Sequence, residues 1–181
     1  MRNWVILFVR TGSEEKLVRL LRDNLNVNEY QPFLPIKEMA HRSRGVISKK
    51  RKLLFPGYVF IKTGIETGLI AEKLKSDLTN ATRKWHEDIY SILHYGNDKN
   101  DVAIRQKERL YWERLFDADF CVTGSVGFIE GDIIMITSGP LVGMESRIKK
   151  INRHKREALV EMEVMGAVRE VRLMLEIVSK V

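Results

Sequence analysis

The apolar pattern of the chain changes character after Phe116, and that change limits the possible folds more than any other feature. Before it, apolar side chains recur at the three- and four-residue spacing that gives a helix one buried face. Leu17, Val18, Leu21 and Leu25 form one such set, Ile70, Leu74 and Leu78 a second, and Leu110, Tyr111 and Leu115 a third. From Ser125 onward no helical spacing remains, and short runs rich in β-branched residues alternate with turn signals. The runs are 133–136, 147–151, 158–164, 168–173 and 175–178, separated by Ser138-Gly139-Pro140, by 152–156 and by Met165-Gly166. In 158–164 strict alternation puts Val160, Met162 and Val164 on one side. About five short strands in so little chain predict a small all-β barrel, which closes its own sheet edges.

The first part mixes the two patterns. Residues 4–9 read as a buried strand, broken by Thr11-Gly12-Ser13. Ser13 is placed to cap the following helix, with Glu14 and Glu15 in its first turn, where acids suit the helix dipole. Pro32 and Pro35 bracket a short extended piece, 41–52 is a polar, basic hairpin or loop, and 54–61 is the next strand. Residues 66–78 and 104–116 are predicted helices, while 80–100 carries no clear pattern. An antiparallel sheet with helices on one face fits this order, giving an α+β domain over 1–116, a linker over 117–126 and a β-barrel domain over 127–181.

Several chemistries find no support. A single cysteine, Cys121, excludes an internal disulfide and a Cys-built zinc site. His41, His86, His94 and His154 are scattered without metal-ligand spacing. Gly139-Pro-Leu-Val-Gly143 lacks the Gly-Lys-Ser/Thr of a phosphate loop, and Ser125 and Ser138 lack the nucleophile-elbow pattern. The expectation is a non-enzyme without cofactor or metal. The apolar run near the N-terminus is too short for a signal sequence or a bilayer span, so a cytoplasmic protein with no membrane contact is expected.

Charge points to a polyanionic partner: the formal net charge is +7. It is gathered in two places. Arg147, Lys149, Lys150, Arg153, His154, Lys155 and Arg156 crowd one strand and turn. From Gly124 onward nine Lys and Arg face eight acids, so the cations form a patch within a nearly neutral domain. Such a patch either tracks a phosphate backbone or the shape of a structured RNA, or is a solvated surface. Arg42, Arg44, Lys49, Lys50, Arg51 and Lys52 form a second cluster, readable equally as a solvated loop or as a nucleic-acid-binding arm.

Two stretches resemble a known family. Phe55-Pro-Gly-Tyr-Val-Phe60 resembles the signature of the N-terminal (NGN) domain of NusG proteins, and Trp4-Val5 and 13–25 are similar to its first strand and helix. The segment from Gly131 through Gly143 to Ile151 looks like a KOW motif, with Ser146 where glycine is common. The resemblance implies a factor that binds the clamp helices of RNA polymerase through an apolar surface on its NGN domain. Alternation puts Tyr58 and Phe60 on one side of their strand, and Pro56 sets its start at an edge. Phe55 and Tyr58 are therefore expected to make the apolar polymerase contact, with Trp4 a third candidate. Residues 127–132, 148–156 and 159–166 look like LoaP-type specialised paralogues. That likeness implies operon-specific antitermination by a monomer recruited to a hairpin in the nascent leader RNA, with the arm near RNA or near DNA at the transcription bubble. A general NusG-like factor without RNA recruitment, and a ribosome-associated KOW protein, are the alternatives.

Overall fold

The structure, a computed structural model, describes residues 1–82 and 87–180, and His86 lies outside them. In chain order the elements are β1 (Asn3–Val9), α1 (Glu14–Asn24), β2 (Tyr30–Phe33), β3 (Ile36–Ser43), β4 (Val46–Leu53) and β5 (Tyr58–Thr63). Then come α2 (Ile70–Ala81), β6 (Ile89–Ile92), α3 (Gln106–Leu115), β7 (Cys121–Val122) and β8 (Ser125–Glu130). The last are β9 (Ile133–Ser138), β10 (Ile148–Asn152), β11 (Glu157–Val164) and β12 (Ala167–Lys180). The α+β to β order follows the change in periodicity. Two compact units result, one of Met1–Pro35 with Phe55–Arg109, the other of Ile36–Leu54 with Leu110–Val181.

The first unit is built on an antiparallel sheet in the order β2-β5-β1-β6. Alternation along β1 sends Val5, Leu7 and Val9 to one face, where they join Val59 and Ile61 of β5. Leu17, Val18 and Leu21 of α1 and Ile70, Leu74 and Leu78 of α2 complete this core, as their spacing predicts. Tyr30 donates to Asp77 at 2.7 Å, and Lys73 bridges Glu29 and Asp77 at 2.7 and 2.8 Å, fastening α2 to β2.

Three local features differ from the expectation. Ser13 does not cap α1; its hydroxyl donates backwards to the Arg10 carbonyl at 2.6 Å. The predicted strand over 54–61 begins only at Tyr58, because Phe55-Pro-Gly-Tyr58 forms a turn. In α3, which straddles the division between the units, the predicted apolar face is also offset. Leu115 is buried but Leu110 is 52% exposed, and Trp112 takes its place, so the inner side carries Glu108, Trp112 and Leu115 at i, i+4 and i+7.

The second unit holds a five-stranded sheet, β10-β11-β12-β8-β9, and a three-stranded one, β4-β3-β7. Where two strands were predicted over 168–173 and 175–178, β12 runs unbroken. Its first half pairs antiparallel with β11 and its second half parallel with β8. Leu173, Met174 and Leu175 are all buried at the change of partner, and that break in alternation reads as a gap between strands. β8 escaped the sequence reading because Gly127 interrupts it; a Cβ there would meet the Met135 carbonyl at 2.5 Å, so pairing with β9 requires glycine. Arg147, expected in a strand, ends a 3-10 turn, and β10 starts at Ile148.

Residues 36–53 form the hairpin anticipated over the basic stretch, closed by Arg44-Gly45, both at positive φ. Within the expected linker, β7 pairs in parallel with β3, and the Asp117 carboxylate accepts the Asp119 and Cys121 N–H groups. A two-residue strand is too short to show any period.

Candidate functional site

The sheet face opposite the helical core of the first unit is aromatic. Trp4, Ile6 and Phe8 of β1 stand opposite Lys62, Phe60 and Tyr58 of β5. Trp4 is 1% exposed, packed edge-on to Phe33 at 5.2 Å with the Lys62 ammonium 5.1 Å over its ring. Phe55 is 6% exposed, stacked on Phe60 at 6.2 Å and edge-on to Tyr58 at 6.3 Å. Of the three residues expected to offer an apolar contact, then, only Tyr58 reaches the surface, and it is half-buried.

Two aromatics that the sequence reading passed over stand beside it. Phe8 is 39% exposed, with its ring 5.7 Å from Tyr58 and 5.2 Å from Tyr90, which is 54% exposed. Phe8 was findable, since alternation places it on the Trp4 side at the end of β1. Tyr90 lay in the unassigned 80–100 stretch. It sits where the register between β1 and β6 slips by a residue, the kind of bulge that re-aims a side chain. Next to Tyr90 opens a groove of about 660 Å³, lined also by Ala71, Lys75, Ile92, His94 and Lys99.

The Phe-Pro-Gly-Tyr turn that positions Tyr58 is held from α1. Gly57 has a φ of +84°, which an L side chain rarely adopts, and the turn is closed by the Tyr58 N–H on the Phe55 carbonyl. The Gly57 carbonyl accepts the Val9 N–H at 2.8 Å, and its N–H donates to the buried carboxylate of Glu14 at 2.7 Å. Glu14 also accepts the Gly12 N–H at 2.6 Å. A first-turn acid thus spends both oxygens on backbone donors rather than on water.

In the second unit the predicted cluster 147–156 divides. The Arg147 guanidinium lies 4.6 Å from the Tyr111 ring centroid, and burial of that phenol pushes its pKa up against the pull of Arg147. Lys149 pairs with Glu161 and Arg156 with Glu176, both at 3.0 Å. Lys150, Arg153, His154 and Lys155 remain exposed. The turn is fixed by the Asn152 side chain, which accepts the Lys155 N–H, and by a positive φ at Arg156. A concavity of about 610 Å³ lies there, lined by Ile151, Asn152, Arg153, His154, Arg156 and Glu176 among others.

The arm belongs to the same unit. Arg42 and Arg44 are exposed towards the hairpin tip, and alternation on β4 separates Lys49 and Arg51 from Lys50 and Lys52. Lys49 pairs with Glu38 at 2.9 Å and Arg51 with Asp119 at 3.5 Å. The Lys49 ammonium, helped by the Gly124 N–H, holds the Glu38 carboxyl below the usual carboxylate range. Among the described residues, no group of His, Cys, Asp or Glu is placed to hold a metal, and no helix is long and apolar enough to cross a membrane.

Comparison with known proteins gives a family and a fold. The family model described as transcription termination factor nusG matches residues 2–109. A solved structure titled "Domain interaction in Thermotoga maritima NusG" is 19% identical, with a TM-score of 0.53, and the match covers 97% of this chain and 93% of that one. No curated protein matches.

Proposed function

We propose that this chain, which belongs to the NusG family, is an antitermination factor of the LoaP type, recruited by a hairpin in nascent leader RNA. The family is one of transcription factors, and its members bind RNA polymerase. In the proposed mechanism Phe8, Tyr58 and Tyr90 dock on the polymerase clamp helices, an aromatic surface being suited to anchoring an apolar partner. Trp4 and Phe55 support that face from within. The RNA hairpin is held by Lys150, Arg153, His154 and Lys155, with Arg147, Lys149 and Arg156 behind them. The β3–β4 arm follows nucleic acid on the same elongation complex, either RNA or DNA near the bubble.

The observation that carries the proposal is the exposed turn Arg153-His154-Lys155 beside its concavity, in a unit that also contains the basic hairpin. Cations arranged around a hollow suit the phosphates and unstacked bases of a structured RNA better than a flat polyanion. Two weak contacts, one to polymerase and one to RNA, then add through effective concentration.

The test is transcription in vitro through a terminator placed downstream of a leader enriched by RNA selection against the full chain. Readthrough should require the hairpin; readthrough that survives its deletion would end the recruitment model. A second reading, a general factor of the same family without RNA recruitment, is favoured by the neutralisation of Lys149 and Arg156 by Glu161 and Glu176. It predicts equal binding of hairpin and scrambled RNA.

A further inference from the structure

Within the second unit, β3 packs against β12. Lys37 of β3 is directly opposite Lys52 of β4, a like-charge cross-strand pair that costs stability unless something lies between the two. Arg172 of β12 brings a third cation to Lys37, and among the described residues the acid that acts on Lys37 there is Glu157 of β11. Glu157 is already engaged, its carboxylate 3.9 Å from the Arg172 guanidinium. Lys37 is half-buried, whereas Lys52 and Arg172 are exposed, so the cluster is open to solvent on one side. Three cations and one committed carboxylate leave a local charge surplus with a partly dehydrated ammonium in it. In keeping with that, burial first, then Lys52 and Arg172, pull the Lys37 pKa down from its ordinary value.

We infer that Lys37, Lys52 and Arg172 form a binding site for a backbone phosphate of nucleic acid. A backbone phosphodiester offers two charged non-bridging oxygens, which two ammonium groups and a guanidinium can share as donors, and its negative charge relieves the Lys37–Lys52 repulsion. The ligand is a chain of anions rather than one: Lys50 lies on the same face of β4 as Lys52, about 7 Å further along the strand. Neither basic cluster recognised in the sequence includes Lys37 or Arg172, because they lie far apart in the chain and only β3–β12 packing unites them. The inference rests on the reading that this unit binds nucleic acid, but not on any preference for a hairpin.

The test uses the full chain and an RNA duplex of about 20 base pairs of arbitrary sequence, with affinity measured across 50–200 mM salt. Lys37→Gln and Arg172→Gln should each lower the slope of log affinity against log salt by about one, which is about fourfold less affinity lost over that range. Lys99→Gln, in the other unit, is the control and should leave the slope unchanged. Lys37→Gln should also leave the thermal midpoint unchanged or raised, since it removes repulsion; a purely structural lysine would lower it. The Lys37 ammonium, followed by NMR, should titrate at higher pH with duplex bound than without. Wild-type slopes in both variants, an unmoved Lys37 titration, or a preference for polyglutamate over duplex would overturn the site. Equal binding of hairpin and scrambled duplex with the slopes changed as expected would keep the site and remove only the recruitment model.

Discussion

Glu14 and Gly57 are 43 residues apart in the chain and joined by a 2.7 Å hydrogen bond from the Gly57 N–H to a carboxylate that is 2% exposed. The bond ties the start of α1 to the Phe-Pro-Gly-Tyr turn, so Tyr58 is positioned by a helix it does not belong to. Glu14→Ala removes the acceptor for two backbone donors; the exposed Gly12 N–H can turn to water, but the buried Gly57 N–H is left unmet at a cost of about 1–3 kcal/mol. The urea midpoint should fall accordingly, with an unchanged denaturant slope. Glu14→Gln keeps one acceptor oxygen for the Gly57 N–H and should lose much less. An Ala variant as stable as wild type would show that water replaces the carboxylate at no cost.

Exposure, not residue type, decides which aromatic substitution tests polymerase binding. Phe8→Asp and Tyr90→Ala change side chains that already meet solvent, so they should cost at least tenfold in affinity for polymerase while folding is retained. Phe55→Asp would place a carboxylate among the Phe60 and Tyr58 rings and should unfold the first unit, a loss of about 3 kcal/mol or more. Co-purification with polymerase, run beside thermal denaturation of each variant, separates the two effects. Full binding by both surface variants would move the docking face elsewhere.

Much of this was legible in the sequence, and the failures share a cause. Ile70, Leu74 and Leu78 are all buried because four-residue spacing maps directly onto one helix face, and Val160, Met162 and Val164 are buried because alternation maps onto one strand face. Local periodicity says nothing about which neighbour covers a face, and so Trp4 and Phe55 were read as contacts although the aromatic cluster encloses them. It is equally silent where the register slips, and Tyr90 sits at such a slip. Charge counting found the turn at 153–155 but could not see that Glu161 and Glu176 claim two of the seven members.

That division of the basic cluster sets the RNA experiment. Arg153→Ala and Lys155→Ala remove exposed cations and should each flatten the salt dependence of hairpin binding by about one, with weaker affinity and intact stability. Arg156→Ala instead leaves Glu176 without its 3.0 Å partner next to the turn. It should change the slope less, and it should shift binding mainly through the shape of 152–156. Equilibrium binding from 50 to 200 mM salt measures all three. A larger slope change for Arg156 than for Arg153 would reverse the assignment of direct contacts.

The Lys49–Glu38 pair gives the hairpin a pH dependence whose sign is fixed. The Glu38 carboxyl is held below its ordinary value chiefly by Lys49, against burial, with the Gly124 N–H assisting. A depressed folded-state value means that the unfolded chain binds the proton more readily. The stabilisation is therefore complete above about pH 4–5, the ordinary glutamate range, and is lost as pH falls through the lower folded value. Lys49→Met removes the largest cause, so Glu38 should titrate closer to an ordinary glutamate and the acid-side loss of hairpin stability should shrink. Carboxyl NMR titration of Glu38 in both proteins, between pH 2 and 7, measures the shift. High salt should reproduce part of the effect, because the Lys49 ammonium is 58% exposed and screened. Identical titration curves for wild type and variant would assign the depression to the Gly124 N–H instead.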